Sequence, residues 1–258
     1  MTAGRIDLVV EGHVAQITID DAARHNAMSL AMWTDLLQAF EDVDQRPEVR
    51  VCVLRGAGEK SFVSGANISE FETQRNSADS VAHYNHMVKR AQQAIFRCRV
   101  PVIAAISGIC YGGGLGLALS CDMRYAAPHS RFRMPAARMG LGYDCENMKS
   151  ILNNLGPQAT AEAFYTAKVY DAPSAQAMGM VLAVVDDVFA HCTALAHDIA
   201  ANAPLTIQAA KKTLVALAED EKDMTSVKTA IDACFKSNDY AEGRLAFAQK
   251  RPPLFTGH

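Results

Sequence analysis

Gly112, Gly113 and Gly114 stand together in GICYGGGLGLALSCD, residues 108–122, and Gly116 follows two positions on. A glycine run between an apolar strand-like stretch and an apolar helical one lets backbone N–H groups meet an anionic ligand at close range. Three chemistries fail on spacing. The G-x-G-x-x-G of a dinucleotide turn breaks at Leu117 or Leu119, and no lysine follows as a phosphate-binding loop requires. No G-x-S-x-G presents a serine nucleophile. Two readings stay open: close packing of a helix on a sheet, or an oxyanion hole in which an unpaired N–H at a helix start faces a substrate carbonyl. A donor of the second kind can lower a barrier by about 3–4 kcal/mol.

Other reactive side chains carry weaker signals. His83 and His86 lie three apart on a predicted helix, but no third ligand accompanies them, so no metal site is expected. Glu70 reads as a loop or helix-start acid. Arg133 and Arg138 suit either an acidic acyl group or the surface. Met28, Met32, Met134, Met139 and Met148 suit a core or an acyl pocket. The 7 cysteines are odd in number with no C-x-x-C pair, which predicts free thiols in a reducing compartment.

The elements that must hold these groups alternate. Ile6–Val10 and Val14–Asp20 flank Glu11-Gly12-His13 as a hairpin. Leu30, Trp33, Leu36, Leu37, Phe40 and Val43 recur at helical spacing behind Ser29, a predicted N-cap, and Pro47 closes the helix. A strand is expected over Val49–Leu54, a loop over Gly58–Ile68, a helix over Val81–Cys98 and a strand over Val102–Ser107 feeding the glycines. Strands at Met123–Ala126 and Arg131–Met134 follow. From Glu146 the pattern is helical, punctuated by Pro157, Pro173 and Pro204, with one strand near Leu182–Val185. This alternation predicts an α/β core. Residues 204–258 read as a helical appendage on a core of residues 1–203.

Bulk properties exclude several partners. The chain has 258 residues, half of them hydrophobic, enough for a substantial core. A net charge of −3 argues against nucleic acid or an anionic membrane. Asp7 and Glu11 interrupt any signal-peptide core, so a cytoplasmic protein is expected. Val100 to Cys121 carries no charge, yet its Pro101 and glycines fit a buried strand and helix better than a membrane span.

SFVSGANISEF (61–71) and AAISGICYGGGLGLALSCDMRYAAPHSRFRMP (104–135), in this order and spacing, resemble the crotonase, or enoyl-CoA hydratase/isomerase, family. The likeness runs from the N-terminal hairpin to the ending DYAEGRLAFAQKRPPLFTGH. It implies a spiral of ββα turns with a C-terminal helical trimerisation region, assembled as a homotrimer or as a hexamer of paired trimers. It also implies an acyl-CoA or enoyl-CoA substrate, with coenzyme A as part of the substrate and no separate cofactor. The thioester oxygen would lie between the N–H groups of Ala66 and Gly113, which would hold an enolate. Arg24, Ala27, Ser64, Asn67 and Ile68, within a strand-like 64–68, would line the CoA groove. Phe247 and Lys250 match positions that reach a neighbouring subunit's nucleotide, although Lys250 and Arg251 also read as a solvated basic tail.

The sequence departs from the family at its acid/base pair. Hydratases use two glutamates, and Gly116 and Ala136 stand at those positions. Within ARMGLGYDCENMKSIL, Asp144 matches an aspartate of dienoyl-CoA isomerases and an aromatic acyl-CoA dehalogenase, and Tyr143 matches an active-site tyrosine of methylmalonyl-CoA decarboxylase. Asp144 also suits helix N-capping, Tyr143 a packed aromatic, and Glu146 the acidic first turn of the same helix. The resemblance leaves three outcomes: a hydratase, a decarboxylase or isomerase working through Tyr143 or Asp144, or a non-catalytic acyl-CoA-binding homologue.

Overall fold

A computed structural model describes residues 3–67 and 77–258. Strands β1 (Arg5–Glu11) and β2 (Val14–Asp20) pair antiparallel, with Glu11 opposite Val14 and Gly12 turning at φ +58°. Helix α1 (Leu30–Asp44) starts on Ser29, whose side chain accepts the Met32 N–H, and it buries Trp33, Leu36 and Phe40. Both features match expectation, because capping and periodicity are local.

Two sheets organise the rest. β3 (Val51–Gly56), β5 (Val102–Ile106), β7 (Met123–Ala126) and β10 (Ala183–Val184) extend the hairpin in the order β1-β2-β3-β5-β7-β10, parallel from β2 onward. The second sheet runs β4 (Ser61–Val63), β6 (Ile109–Tyr111), β8 (Arg131–Arg133) and β9 (Tyr170–Asp171). The chain visits the first sheet, then the second, then a helix: β3–β4 leads to α2 (Ala78–Arg97), β5–β6 to α3 (Gly113–Ser120), and β7–β8 to α4 (Ala136–Met139) and α5 (Cys145–Thr166). This is the crotonase-type spiral of ββα turns.

Period-two alternation divides the buried residues of the central strands between two cores. Cys52, Leu54, Ala104 and Ile106 face the main core with α1 and α2. Val51, Val53, Ile103 and Ala105 face α7 (Val188–Ala200), packing on Val188, Cys192 and Ala196. The uncharged stretch from Val100 to Cys121 becomes β5, β6 and α3 inside the protein, and among the described residues no helix is long and apolar enough to cross a membrane.

Three expectations need correction. The expected 58–68 loop contains β4 at 61–63, whereas residues 64–67 form no strand. Ala66 makes only an isolated bridge to Met28, and Ile68 falls outside the described residues, as does Glu70. β6 and β9 are not among the expected strands: β6 lies inside the glycine-rich stretch and β9 inside a region of helical pattern. β3 lies two residues later than predicted. Pro157 punctuates α5 as expected: at Gly156, whose φ of 74° and ψ of 170° lie outside the helical region, the helix kinks before the proline. After α6 (Ala172–Ala177) and α7, the chain ends in α8 (Pro204–Ala218), α9 (Thr225–Lys236) and α10 (Asn238–Gln249). All seven cysteines are free.

Candidate active site

The spiral brings the two motifs of the sequence to one wall. Gly112 takes φ +51°, a conformation that L side chains rarely adopt, and donates its N–H to the Arg133 carbonyl at 2.9 Å. Gly113 then opens α3, so its N–H belongs to the first turn, which has no carbonyl one turn earlier to bond. Gly114 passes against β4, where an added Cβ would overlap the Val63 carbonyl oxygen. Across from them, Gly65 O accepts the Met28 N–H at 2.8 Å and Asn67 donates its N–H to Met28 O at 2.9 Å. Those bonds use the flanks of the bridge, so the Ala66 N–H, lying between them, points along the opposite edge.

Ala66 and Gly113 share a chamber of about 480 Å³, a size suited to a small ligand group. Gly116, Ala136, Tyr143 and Asp144 line it as well. All four catalytic candidates, together with both positions lacking a glutamate, therefore converge. Tyr143 packs its ring edge-on to Phe164, with centroids 4.9 Å apart, and its hydroxyl donates to Met134 Sδ at 3.3 Å. Asp144 caps α5: its two carboxylate oxygens accept the Asn147 N–H at 2.8 Å and the Asn147 Nδ2 at 2.9 Å. The packing reading of Tyr143 and the capping reading of Asp144 therefore hold, and both residues also line the chamber. Glu146 is turned away to pair with Lys89.

The electrostatics are sparse. Among the described residues, the ionisable side chains on the chamber wall are Tyr84, Tyr143 and Asp144, with no lysine, arginine or histidine. Arg133 donates to the Ala167 carbonyl instead, at 2.8 Å, and Arg138 lies exposed on α4; neither lines the chamber.

The expected CoA residues divide. Ser64 lines the chamber and ties the flanking segment to it, donating its N–H to His25 O at 3.1 Å and its hydroxyl to Arg24 O at 3.5 Å. Arg24 is held by Asp21 at 3.1 Å, and Ala27 is buried beside it. Arg24, Ala27 and Asn67 thus gather next to Ser64 and Ala66 without lining the chamber. Phe247 and Lys250 do not join them: Phe247 is 89% exposed on α10, and Lys250 caps that helix at φ +51°.

Sequence reading missed part of the wall. Trp33 lies with its Cζ2 3.4 Å from where a Gly113 Cβ would stand, and its indole N–H donates to Tyr84 Oη at 2.9 Å. Helical spacing marked Trp33 as core, which it also is. Tyr84 and Gln92 sit on α2, and a polar helix face gives no sign of which residues turn inward.

This architecture and shared chamber define an enzyme of the enoyl-CoA hydratase/isomerase family, and the chain belongs to it, matching over residues 10–258. It is similar to the methylmalonyl-CoA decarboxylase of Escherichia coli, 29% identical over 98% of each chain. It is also similar to the peroxisomal Δ(3,5)-Δ(2,4)-dienoyl-CoA isomerase of Arabidopsis thaliana, 29% identical over 95% of this chain and 93% of that one. A crystal structure of an enoyl-CoA hydratase/carnithine racemase from Magnetospirillum magneticum superposes with a TM-score of 0.92 at 37% identity, covering 98% of this chain and 96% of that one. Relatives named for different reactions share one scaffold, so the side chains around the chamber decide the chemistry.

Proposed function

We propose that the chain binds an acyl-CoA thioester, holds its carbonyl oxygen between the N–H groups of Ala66 and Gly113, and stabilises the enolate formed there. The reaction best suited to the site is decarboxylation of a malonyl-type acyl group. One observation carries this reading: among the described residues the single carboxylate on the chamber wall, Asp144, is committed to two hydrogen bonds with Asn147, while Gly116 and Ala136 offer no acid or base. Hydration needs a group to activate water at Cβ and a proton donor for Cα. Decarboxylation needs no base. The bond from Cα to the carboxylate breaks, carbon dioxide leaves without the electron pair, and the pair flows onto the thioester oxygen at the two N–H donors. Among the described residues the wall offers the substrate carboxylate no counter-charge, which favours moving that charge to the oxyanion hole. Cα then takes a proton from water or from the hydroxyl of Tyr143, a residue of the chamber wall. Coenzyme A is part of the substrate, its groove running along Arg24, Ala27, Ser64 and Asn67. Phe247 and Lys250 reach the nucleotide of a neighbouring subunit in a homotrimer.

Purified protein offered methylmalonyl-CoA and crotonyl-CoA tests this. Turnover of the first with carbon dioxide release, and little hydration of the second, is expected. Asp144→Asn keeps the cap and should retain more than about half of the activity, because asparagine caps as well as aspartate. Robust hydration of crotonyl-CoA, abolished by Asp144→Asn, would overturn the proposal in favour of Asp144 as the working base.

A further inference from the structure

The space beside Gly116 is occupied. A Cβ built on Gly116 would lie 2.5 Å from Gln92 Nε2 and 3.6 Å from Gln92 Cδ. A glutamate side chain at 116 and the carboxamide of Gln92 would therefore compete for the same volume, and in this chain the carboxamide has it. Gln92 lies on α2, lines the chamber and is half-buried, and among the described residues its amide makes no hydrogen bond. Such a group carries two N–H donors and a carbonyl acceptor but has no proton to exchange near neutral pH. It cannot replace the missing acid or base.

We propose that Gln92 is a specificity residue that recognises an oxygen substituent on the acyl group, so that the substrate carries a hydroxyl or carboxylate where a simple fatty acyl group has only hydrogens. The inference rests on the acyl-CoA reading above. A second observation points the same way. Gln92, Ser120, Asn147 and Ser150 line the chamber and also an adjoining groove of about 930 Å³ between α2, α5 and α8. The side chains shared by chamber and groove are thus neutral hydrogen-bonding ones, among the apolar Trp33, Val88 and Ile151 of the chamber, while charged groups such as Lys89, Glu146 and Lys149 line only the groove beyond. Hydrocarbon placed against the amide would leave it unpaired out of bulk water, and an oxygen would pair it.

The test is binding of three four-carbon thioesters, butyryl-CoA, 3-hydroxybutyryl-CoA and succinyl-CoA, with free CoA as reference, measured by calorimetry on the full chain. The wild type should prefer at least one oxygenated thioester over butyryl-CoA by about 5- to 10-fold, the worth of one hydrogen bond. The preferred thioester identifies whether hydroxyl or carboxylate is read. Gln92→Leu should bring that ratio close to one while free CoA binds as before. Gly116→Ala, which displaces the amide without altering residue 92, should shrink it too and stands in if the leucine variant does not fold. A ratio unchanged in either folded variant, or a wild type that binds all three thioesters equally, overturns the proposal. A wild type that binds none of the thioesters overturns the acyl-CoA reading itself, a distinct result.

Discussion

Gly114 and Gly116 stand two apart on one short helix and answer differently to the same substitution. At Gly114 a methyl group meets the carbonyl oxygen of Val63, a backbone atom fixed in β4. At Gly116 it meets the far end of the Gln92 side chain, which can swing aside. Gly114→Ala should therefore lose about 1–3 kcal/mol through overpacking. Gly116→Ala should keep or raise stability, since alanine exceeds glycine in helices by about 1 kcal/mol. Thermal unfolding of the two variants checks this, and equal losses would contradict it. The resemblance of the glycine motif to the enoyl-CoA hydratase/isomerase family is what points to the proposed oxyanion position and to residues 116 and 136. It cannot expose Gln92, whose place depends on space left by a residue from a different ββα turn. Tyr143 is legible as a position but not in its hydrogen bond to Met134, which lies on the far side of α4 in the chain.

Helices with strong caps and clear apolar spacing, such as α1, follow from local sequence. Three short strands of the second sheet, β4, β6 and β9, do not, because they depend on pairing with partners distant in the chain. The first charge after the glycines shows how such long-range ties work. Asp122 accepts the Val102 N–H at 2.7 Å and the ammonium of Lys211 at 2.5 Å, and Lys211 is 5% exposed. This pair fastens α8, part of the helical region after Pro204, to the sheet. Lys211→Met should cost about 2–3 kcal/mol in denaturant unfolding, below the range for fully buried pairs because Asp122 keeps some contact with water. A second tie holds the ending of the chain. Glu242 on α10 receives the Arg251 guanidinium and the Leu254 N–H, and these hold its carboxyl down at about 2. A carboxylate depressed in this way stabilises fully above its unfolded value of about 4.3, and the contribution fades as pH falls toward 2. The difference in melting temperature between the protein and Glu242→Gln should be constant above about pH 5 and vanish between about pH 4 and 2. A difference that persists at pH 2 would assign the stabilisation to something other than the charge.

Among the described residues the exposed large apolar side chains are densest after residue 204, although others, such as Val9, Tyr165 and Leu182, stand exposed earlier in the chain. Leu214, Leu217, Phe235, Tyr240, Leu245, Phe247 and Leu254 all belong to α8, α9, α10 and the tail behind them, with Phe247 at 89% and Leu254 at 78% exposed. An open groove between Leu214, Phe235, Tyr240 and Phe247 continues the same face. Clustered apolar surface of this kind mostly marks an interface, since water-facing phenylalanine and leucine contribute little to a lone protomer. In the proposed trimer this face would be covered, and Phe247 would serve assembly as well as the nucleotide. Sedimentation at micromolar concentration should give three times the protomer mass, or six, for the protein as it stands. Phe247→Asp would place a carboxylate in the apolar seam and should shift the distribution toward protomers, leaving the circular dichroism of each fold unchanged, because residue 247 touches little within its own chain. The variant also separates two roles: if the tail presents Lys250 to a neighbour's nucleotide, dissociation should weaken thioester binding even though the chamber is intact. A protein that sediments as a protomer and binds the thioester fully would remove the neighbouring subunit from the site.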